Sequence, residues 1–275
     1  MLACLACAVM TAWTSSDGLS PTFTVVTCHF GDPFWIEQLT AHIERTSAGS
    51  QVEEIVVADQ NRDLASTFAL AALGRVGRVV RYPVHAGQVA VLGHDHPDAL
   101  NRLVREPIST SHVIVMDTDS LPVGQGWLDS AIEALELADA VLAADPGKPG
   151  LSHPCFMVLP TAICGTLDFA EGVEELGVDT GRLVGIQLLR QGLTVRLLRA
   201  DRGFRGYKGH LYLDGSIYHH GSGSFLSSSD RRLRKVVDER VERFFRRKVA
   251  ADDYRLNALE RGALLARKLL GMARH

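Results

Sequence analysis

The chain has 275 residues, 46% of them hydrophobic and 22% charged, a balance that excludes disordered, collagen-like and coiled-coil chains and suits one large globular domain or two lobes. No apolar run approaches the roughly 18 residues that span a bilayer, and the longest, at the N-terminus, is broken by Thr11 and then by Thr14–Asp17. The net charge of −3 is unevenly spread: residues 230–275 hold 14 Lys and Arg against 7 Asp and Glu, and residues 1–229 hold 15 against 25. An acidic body without a zinc-finger or RNP-type motif argues against nucleic acid as a partner. The chain divides by these signals into a loose tail over 1–21, a body over 22–229 and a basic helical tail over 230–275.

In chain order, Met1–Ala12 has no Lys or Arg ahead of its apolar part and so lacks the charged start of a secretory signal. The five cysteines (4, 7, 28, 155 and 164) are odd in number and scattered, which predicts a reducing, cytoplasmic location. Cys4 and Cys7 form a Cys-x-x-Cys without the second ligand pair that a zinc site needs. Short β-branched runs at Phe23–Cys28, Glu54–Ala58, Arg78–Tyr82 and His112–Met116, and a weaker one at Ala140–Ala144, predict strands. Helical patterns lie between them at Phe34–Thr46, Leu64–Leu73, Asp98–Arg105 and Trp127–Leu137.

Apolar strands that alternate with helices predict an α/β fold, a mainly parallel Rossmann-like sheet with helices on both faces. Such a sheet binds ligands beyond the carboxyl ends of its strands. Thr27-Cys28-His29, Asp59-Gln60-Asn61 and Asp117-Thr118-Asp119 stand at those ends and are predicted to face one crevice. Past Ala144 come a turn-rich loop over 145–150, a short apolar run over Cys155–Leu159, a helix over Asp179–Gln191 closed by Gly192, and a strand over Thr194–Leu198. Residues 201–216 mix four glycines with aromatics and read as a ligand-facing loop. In the tail, Leu233, Val236, Val237, Val241, Phe244, Phe245 and Val249 make an i, i+3, i+4 stripe opposite Arg and Lys.

The strongest chemical signal is Val113-Ile-Val-Met-Asp-Thr-Asp119. Two carboxylates at i and i+2, where an apolar strand stops, present hard oxygens to one side, and these suit Mg²⁺ or Mn²⁺ carrying a diphosphate. Asp179 in Gly177-Val-Asp-Thr-Gly-Arg182 stands at a helix start, where an ordinary N-cap is expected. In Tyr218-His-His-Gly-Ser-Gly-Ser224 two adjacent histidines on a strand point to opposite faces, so at most one of them serves a given site, with His220 preferred and His219 second. His153, His94 and His96 are weaker candidates. Trp35, Phe204, Tyr207 and Tyr212 are candidates for stacking on a base or sugar ring, with core burial the commoner fate, and Trp127 reads as structural.

The run MDTDSLPVGQGWL, followed by an amphipathic helix, resembles the strand, Asp-x-Asp, Pro and Gly-Trp-Leu segment of GT-A-fold glycosyltransferases of the family 2 type. The resemblance covers most of residues 22–225, with Glu54–Asp59, Gly93–Asn101 and Ser152–Pro160 in the order of that family's segments. It implies a GT-A fold and transfer of a sugar from a UDP-, GDP- or dTDP-sugar to an acceptor hydroxyl, with inversion. The acceptor would be a glycan, a lipid-linked acceptor or a small molecule. By the same resemblance Asp117 contacts the donor ribose or the metal, Asp119 and His220 hold a divalent cation (Mn²⁺ or Mg²⁺), and Thr27, His29 and Asp59 contact the nucleotide. His153 and Asn101 then lie near the donor sugar or acceptor, and Asp179 is the base.

Two other functions stay open at this level: a non-catalytic nucleotide-sugar or glycan binder on the same fold, and a haloacid-dehalogenase-type phosphatase. That phosphatase family carries its Asp-x-Asp near the N-terminus with Thr or Val two places on, whereas here Ser120-Leu121-Pro122 follows. The basic tail fits peripheral contact with the inner face of a membrane, a homodimer, or packing on the acidic body, the commonest fate of such helices.

Overall fold

A computed structural model describes residues 20–272 apart from Asp32, 48–50, Arg62, Arg75, 84–94 and 222–238. The Cys4–Cys7 pair, His94 and the first part of the tail stripe (Leu233, Val236 and Val237) lie outside these residues. The first half alternates strands β1 (Phe23–His29), β2 (Val52–Asp59), β3 (Val76–Arg81) and β4 (His112–Val115) with helices α1 (Phe34–Thr46), α2 (Leu64–Ala72) and α3 (Asp95–Leu103). There follow β5 (Ser120–Pro122), α4 (Trp127–Leu135), β6 (Ala140–Ala144), β7 (Ser152–Pro160), α5 (Thr161–Cys164), α6 (Val173–Leu176), α7 (Val184–Arg190) and β8 (Val195–Leu198). Three short strands, β9 (Asp201–Arg202), β10 (His210–Tyr212) and β11 (Ile217–His219), precede helices α8 (Glu239–Ala250) and α9 (Ala258–Met272).

The expected mainly parallel α/β sheet is present, seven-stranded in the order β3-β2-β1-β4-β7-β6-β8. β7 alone runs against the others, pairing antiparallel with both β4 and β6. Successive side chains leave a strand on opposite faces, so each strand feeds two cores. Phe23, Val25 and Ile114 pack with Trp35, Ile36 and Leu39 of α1 and Trp127 and Ala131 of α4. Val26, Val113 and Val115 pack on the other face with Ala99, Leu100 and Leu103 of α3 and Val184 and Leu188 of α7. Each fully buried large apolar side chain contributes about 1.5–3 kcal/mol, and covering both faces explains why these strands read as unbroken apolar runs.

A second, antiparallel sheet, β5-β11-β10-β9, sits on the α1 and α4 side. Its β5 carries no strand signal of its own in the sequence, because three residues containing a proline show no periodicity. The predicted helix over 179–191 is shorter: Gly181 has φ +66°, outside the right-handed helical region, so α7 begins at Val184 and its N-cap is Leu183. Asp179 is therefore not that helix's cap. The described tail makes two helices, separated after Asp252 adopts φ +53°. Phe245, Val249 and Leu256 belong to the body's core, where the Phe245 ring lies 4.7 Å from that of Phe204. That part of the tail packs on the body, while Leu259 and Leu265 of α9 stay exposed. No helix among the described residues is long and apolar enough to cross a membrane.

His112 opens β4 with 5% of its surface exposed, and burial drives its imidazole pKa down to about 4. The folded state thus holds this ring neutral while the unfolded chain takes a proton below about pH 6.5. Its contribution is complete above that pH and is lost as the pH falls towards 4, by at most about 3 kcal/mol. Urea unfolding at pH 7.5 and pH 5 should show a smaller acid-induced loss for His112→Gln than for the wild type; equal losses would exclude His112 as a source of acid sensitivity.

Candidate active site

In the order β3-β2-β1-β4 the chain direction across the sheet reverses between β1 and β4, and open α/β sheets place ligands at such a switch point. β4 stops at Val115, Met116 N–H still donates to the Val26 carbonyl at 3.0 Å, and Asp117 then leaves the sheet. Ser120 N–H closes a turn on the Asp117 carbonyl at 2.9 Å and starts β5. β11 pairs antiparallel with β5 so that His219 stands opposite Ser120, and His220 N–H donates to the Asp119 carbonyl at 2.9 Å. Backbone pairing thus seats His219 beside the two acids. Its Nε2 is 3.5 Å from Asp119 Oδ1 and 3.8 Å from Asp117 Oδ2, and one ligand atom from each of the three residues lies within 4.8 Å of the others. From the first turn of α3, His96 Nε2 comes within 3.7 Å of Asp117 Oδ1.

The site carries excess negative charge. Burial raises the Asp117 pKa, His96 and His219 work the other way, and the carboxylates of Asp119 and Asp179 add to the rise. Burial disfavours charge on His219, but Cys155 and Asp119 outweigh it and hold the imidazole pKa well above its ordinary value. Two carboxylates and one imidazole, open to solvent at the Asp117 side, fit Mn²⁺ or Mg²⁺ with positions left for phosphate oxygens.

The preference for His220 is corrected. Strand alternation sends it to the opposite face, where Tyr218 Oη meets Nδ1 at 2.7 Å and Nε2 lies 2.9 Å from both carboxylate oxygens of Glu242. His219 takes the place at the acids. Glu242 went unnoticed in the sequence, although it lies three residues before Phe245 and seven before Val249, on the buried face of α8.

Asp59 is corrected too. Its carboxylate is fully buried and accepts from Asn61 Nδ2 and Ser66 Oγ (3.1 and 3.0 Å) and from Thr67 Oγ1 at 2.6 Å, so it ties the end of β2 to the start of α2 instead of facing the crevice. Asn101 is likewise occupied: Nδ2 donates to Asp168 Oδ1 and Oδ1 accepts from Phe169 N–H, both at 2.8 Å, clamping the turn after α5. Thr27 and His29 are buried at the end of β1, and Thr27 Oγ1 has no hydrogen-bond partner among the described residues. Asp179 is exposed, accepts from Thr180 N–H at 2.9 Å, and is near enough to oppose ionisation of Asp117.

His153 lies on β7 with its ring 5.0 Å from that of His219, and burial, reinforced by His219, drives its pKa down to about 3. Trp35, Trp127, Phe204 and Tyr212 are core residues, and Tyr207 is exposed. Asp252 and Asp253 are paired with Arg45 and Lys248.

No protein-family model matches the chain, and no curated protein matches it. The structure is similar to a mannosyltransferase from Pyrobaculum calidifontis in complex with GDP-Man and Mn²⁺, at 16% identity over 65% of this chain and 55% of that one, with a TM-score of 0.46. It is similar to glucosyl-3-phosphoglycerate synthase from Mycobacterium tuberculosis in complex with Mn²⁺, UDP and glucosyl-3-phosphoglycerate, at 19% identity over 65% and 70% of the two chains and a TM-score of 0.45. S. aureus TarS 1–349 matches at 13% identity over 78% and 68%, with a TM-score of 0.47. The chain spans about half the length of the mannosyltransferase.

Proposed function

We propose that the chain is a GT-A-type glycosyltransferase that moves a sugar from a UDP-, GDP- or dTDP-sugar to an acceptor hydroxyl with inversion. The observation that supports this reading is the convergence of Asp117, Asp119 and His219 at the switch point of the sheet. These three would hold Mn²⁺ or Mg²⁺. When bound there, the cation supplies Lewis-acid neutralisation of the charge that grows on the departing nucleoside diphosphate. Asp117 also contacts the donor ribose, and Thr27, His29 and His153 line the donor side. Asp179, exposed and on the rim, takes the proton from the acceptor hydroxyl as that oxygen attacks the anomeric carbon from the side opposite the leaving group.

The acceptor is a glycan end, a lipid-linked acceptor or a small molecule. Leu259 and Leu265, with Arg240 and Arg267 close by, are where peripheral membrane contact or a dimer contact of the tail falls.

A ligand that binds only the folded state raises stability by about 2.7 kcal/mol at a hundred times its dissociation constant. Thermal unfolding with UDP, GDP and dTDP, each with Mn²⁺ or with EDTA, should show stabilisation by one nucleotide that EDTA abolishes. No stabilisation by any of the three would sink the donor-site reading. Stabilisation without release of nucleoside diphosphate from any sugar donor would leave a binder in place of a transferase.

A further inference from the structure

A thiol also lies beside His219. Cys155 and His153 lie two residues apart on β7, where that strand is irregular against β6, and Cys155 is wholly buried as a free thiol. One ligand atom from each of His153, Cys155 and His219 lies within 4.8 Å of the others. Ligand atoms around a tetrahedral zinc are roughly 3.5 Å apart, so a shift of about 1 Å in these side chains closes the set. The Tyr212 hydroxyl interacts with the thiol from behind while donating to the Ala144 carbonyl at 3.3 Å. His219 is more than nine-tenths buried, and among the described residues its Nδ1 has no partner beyond the interaction of the ring with the Cys155 thiol. His153 Nδ1 accepts from Cys155 N–H at 3.2 Å, one hydrogen bond that ligation at that nitrogen would give up.

We propose that His153, Cys155 and His219 form a second cation site that takes a thiophilic ion of the Zn²⁺ class, and that this ion competes with Mn²⁺ or Mg²⁺ through the shared His219 ring. The donor types separate the two sites: thiolate and imidazole select zinc, and carboxylate oxygens select the harder ions. When the ion binds, the Cys155 S–H bond and the N–H bond at the ligating nitrogen of His219 break, Zn–S and Zn–N bonds form, and both protons leave to solvent. Of the three, His153 alone is not fully buried, so the ion enters on its side. The second site stands apart from the sugar-transfer reading; the competition alone rests on the Asp117–Asp119 cation site.

The test uses the full chain carrying Cys4→Ser and Cys7→Ser, so that the N-terminal thiols cannot respond, with Co²⁺ as the spectroscopic probe for Zn²⁺. One equivalent of Co²⁺ should give a thiolate-to-metal charge-transfer band that excess Zn²⁺ erases. The band should survive Asp119→Asn and vanish in both Cys155→Ser and His153→Gln, which should weaken Zn²⁺ binding by about 100-fold or more. Circular dichroism checks that the variants are folded, and His153→Gln is the decisive one if Cys155→Ser is not. Zn²⁺ should also raise the apparent dissociation constant for Mn²⁺, followed by its paramagnetic resonance signal, about tenfold, and by less than about twofold in Cys155→Ser. Absence of the band, its persistence in His153→Gln, or its loss in Asp119→Asn would overturn the second site. An unchanged Mn²⁺ affinity with the band present would overturn the competition.

Discussion

Asp119→Asn is expected to lower sugar transfer by about 10³-fold, equivalent to about 4 kcal/mol of transition-state stabilisation, with a folded chain left behind. The residue sits where fold and chemistry separate cleanly. Its backbone carbonyl accepts from His220 N–H in the ladder between β5 and β11, and its side chain faces His219 and the crevice. An Asn keeps the ladder and most of the shape but removes one of two adjacent charges. Part of the burden on Asp117, whose carboxyl is pushed up by burial and by its acidic neighbours, is relieved, against the loss of the contact to His219. Stability in EDTA should therefore stay within about 1 kcal/mol of wild type. The increment that Mn²⁺ plus nucleotide adds to the melting temperature should disappear. Urea unfolding in EDTA and the thermal shift in Mn²⁺ check the two halves separately. A variant that melts early in EDTA would make Asp119 a structural residue, and one that keeps the Mn²⁺-dependent increment would remove it from the cation site.

The sheet and the acidic pair were legible because both are local signals. Apolar β-branched runs specify buried strands, and Asp117 and Asp119 stand where one such run stops. What a strand-end polar group faces is not local. Asp59 looks like Asp117 in sequence, yet Asn61, Ser66 and Thr67 at the start of α2 take up its carboxylate. Alternation states that one of His219 and His220 meets the acids, but the register of β11 on β5 decides which, and no signal in residues 217–220 sets that register. Cys155 was hidden inside the apolar run Cys155–Leu159; its spacing from His153, two residues along one strand, was the available clue. Glu242 was hidden in a tail read by its apolar stripe, where one acid on the buried face was the exception that marked a partner.

Glu242→Ala should cost about 3–5 kcal/mol of folding stability, the range for removing one partner from a buried ionic network. The side chain is 2% exposed, and its pKa is lowered because hydrogen bonding and charge from His220, with Lys208 and Arg246, overcome the burial that would raise it. Burial lowers the His220 pKa against Glu242's pull. The two shifts describe one arrangement: a neutral ring that donates Nε2–H to an ionised Glu242 and accepts at Nδ1 from the buried Tyr218 hydroxyl. Lys208 Nζ at 3.8 Å and Arg246 Nε at 3.5 Å balance the carboxylate, and Arg246 also lies over the Phe34 and Trp35 rings. Truncation at 242 leaves a buried N–H donor and two partly buried cations without their anion, whereas Glu242→Gln keeps an acceptor for Nε2–H and should cost about 1–2 kcal/mol. Urea unfolding of both variants measures the difference, and a loss under about 1 kcal/mol for Glu242→Ala would show that α8 is not anchored through this network. The consequence reaches the candidate site, because His220 and His219 are consecutive in the chain and leave β11 on opposite faces. Glu242 grips the strand from the tail side, and His219 meets Asp117 and Asp119 from the other. A chain that loses the grip should therefore bind Mn²⁺ more weakly even under conditions where it remains folded, which calorimetric titration of Glu242→Ala against Glu242→Gln and wild type can read.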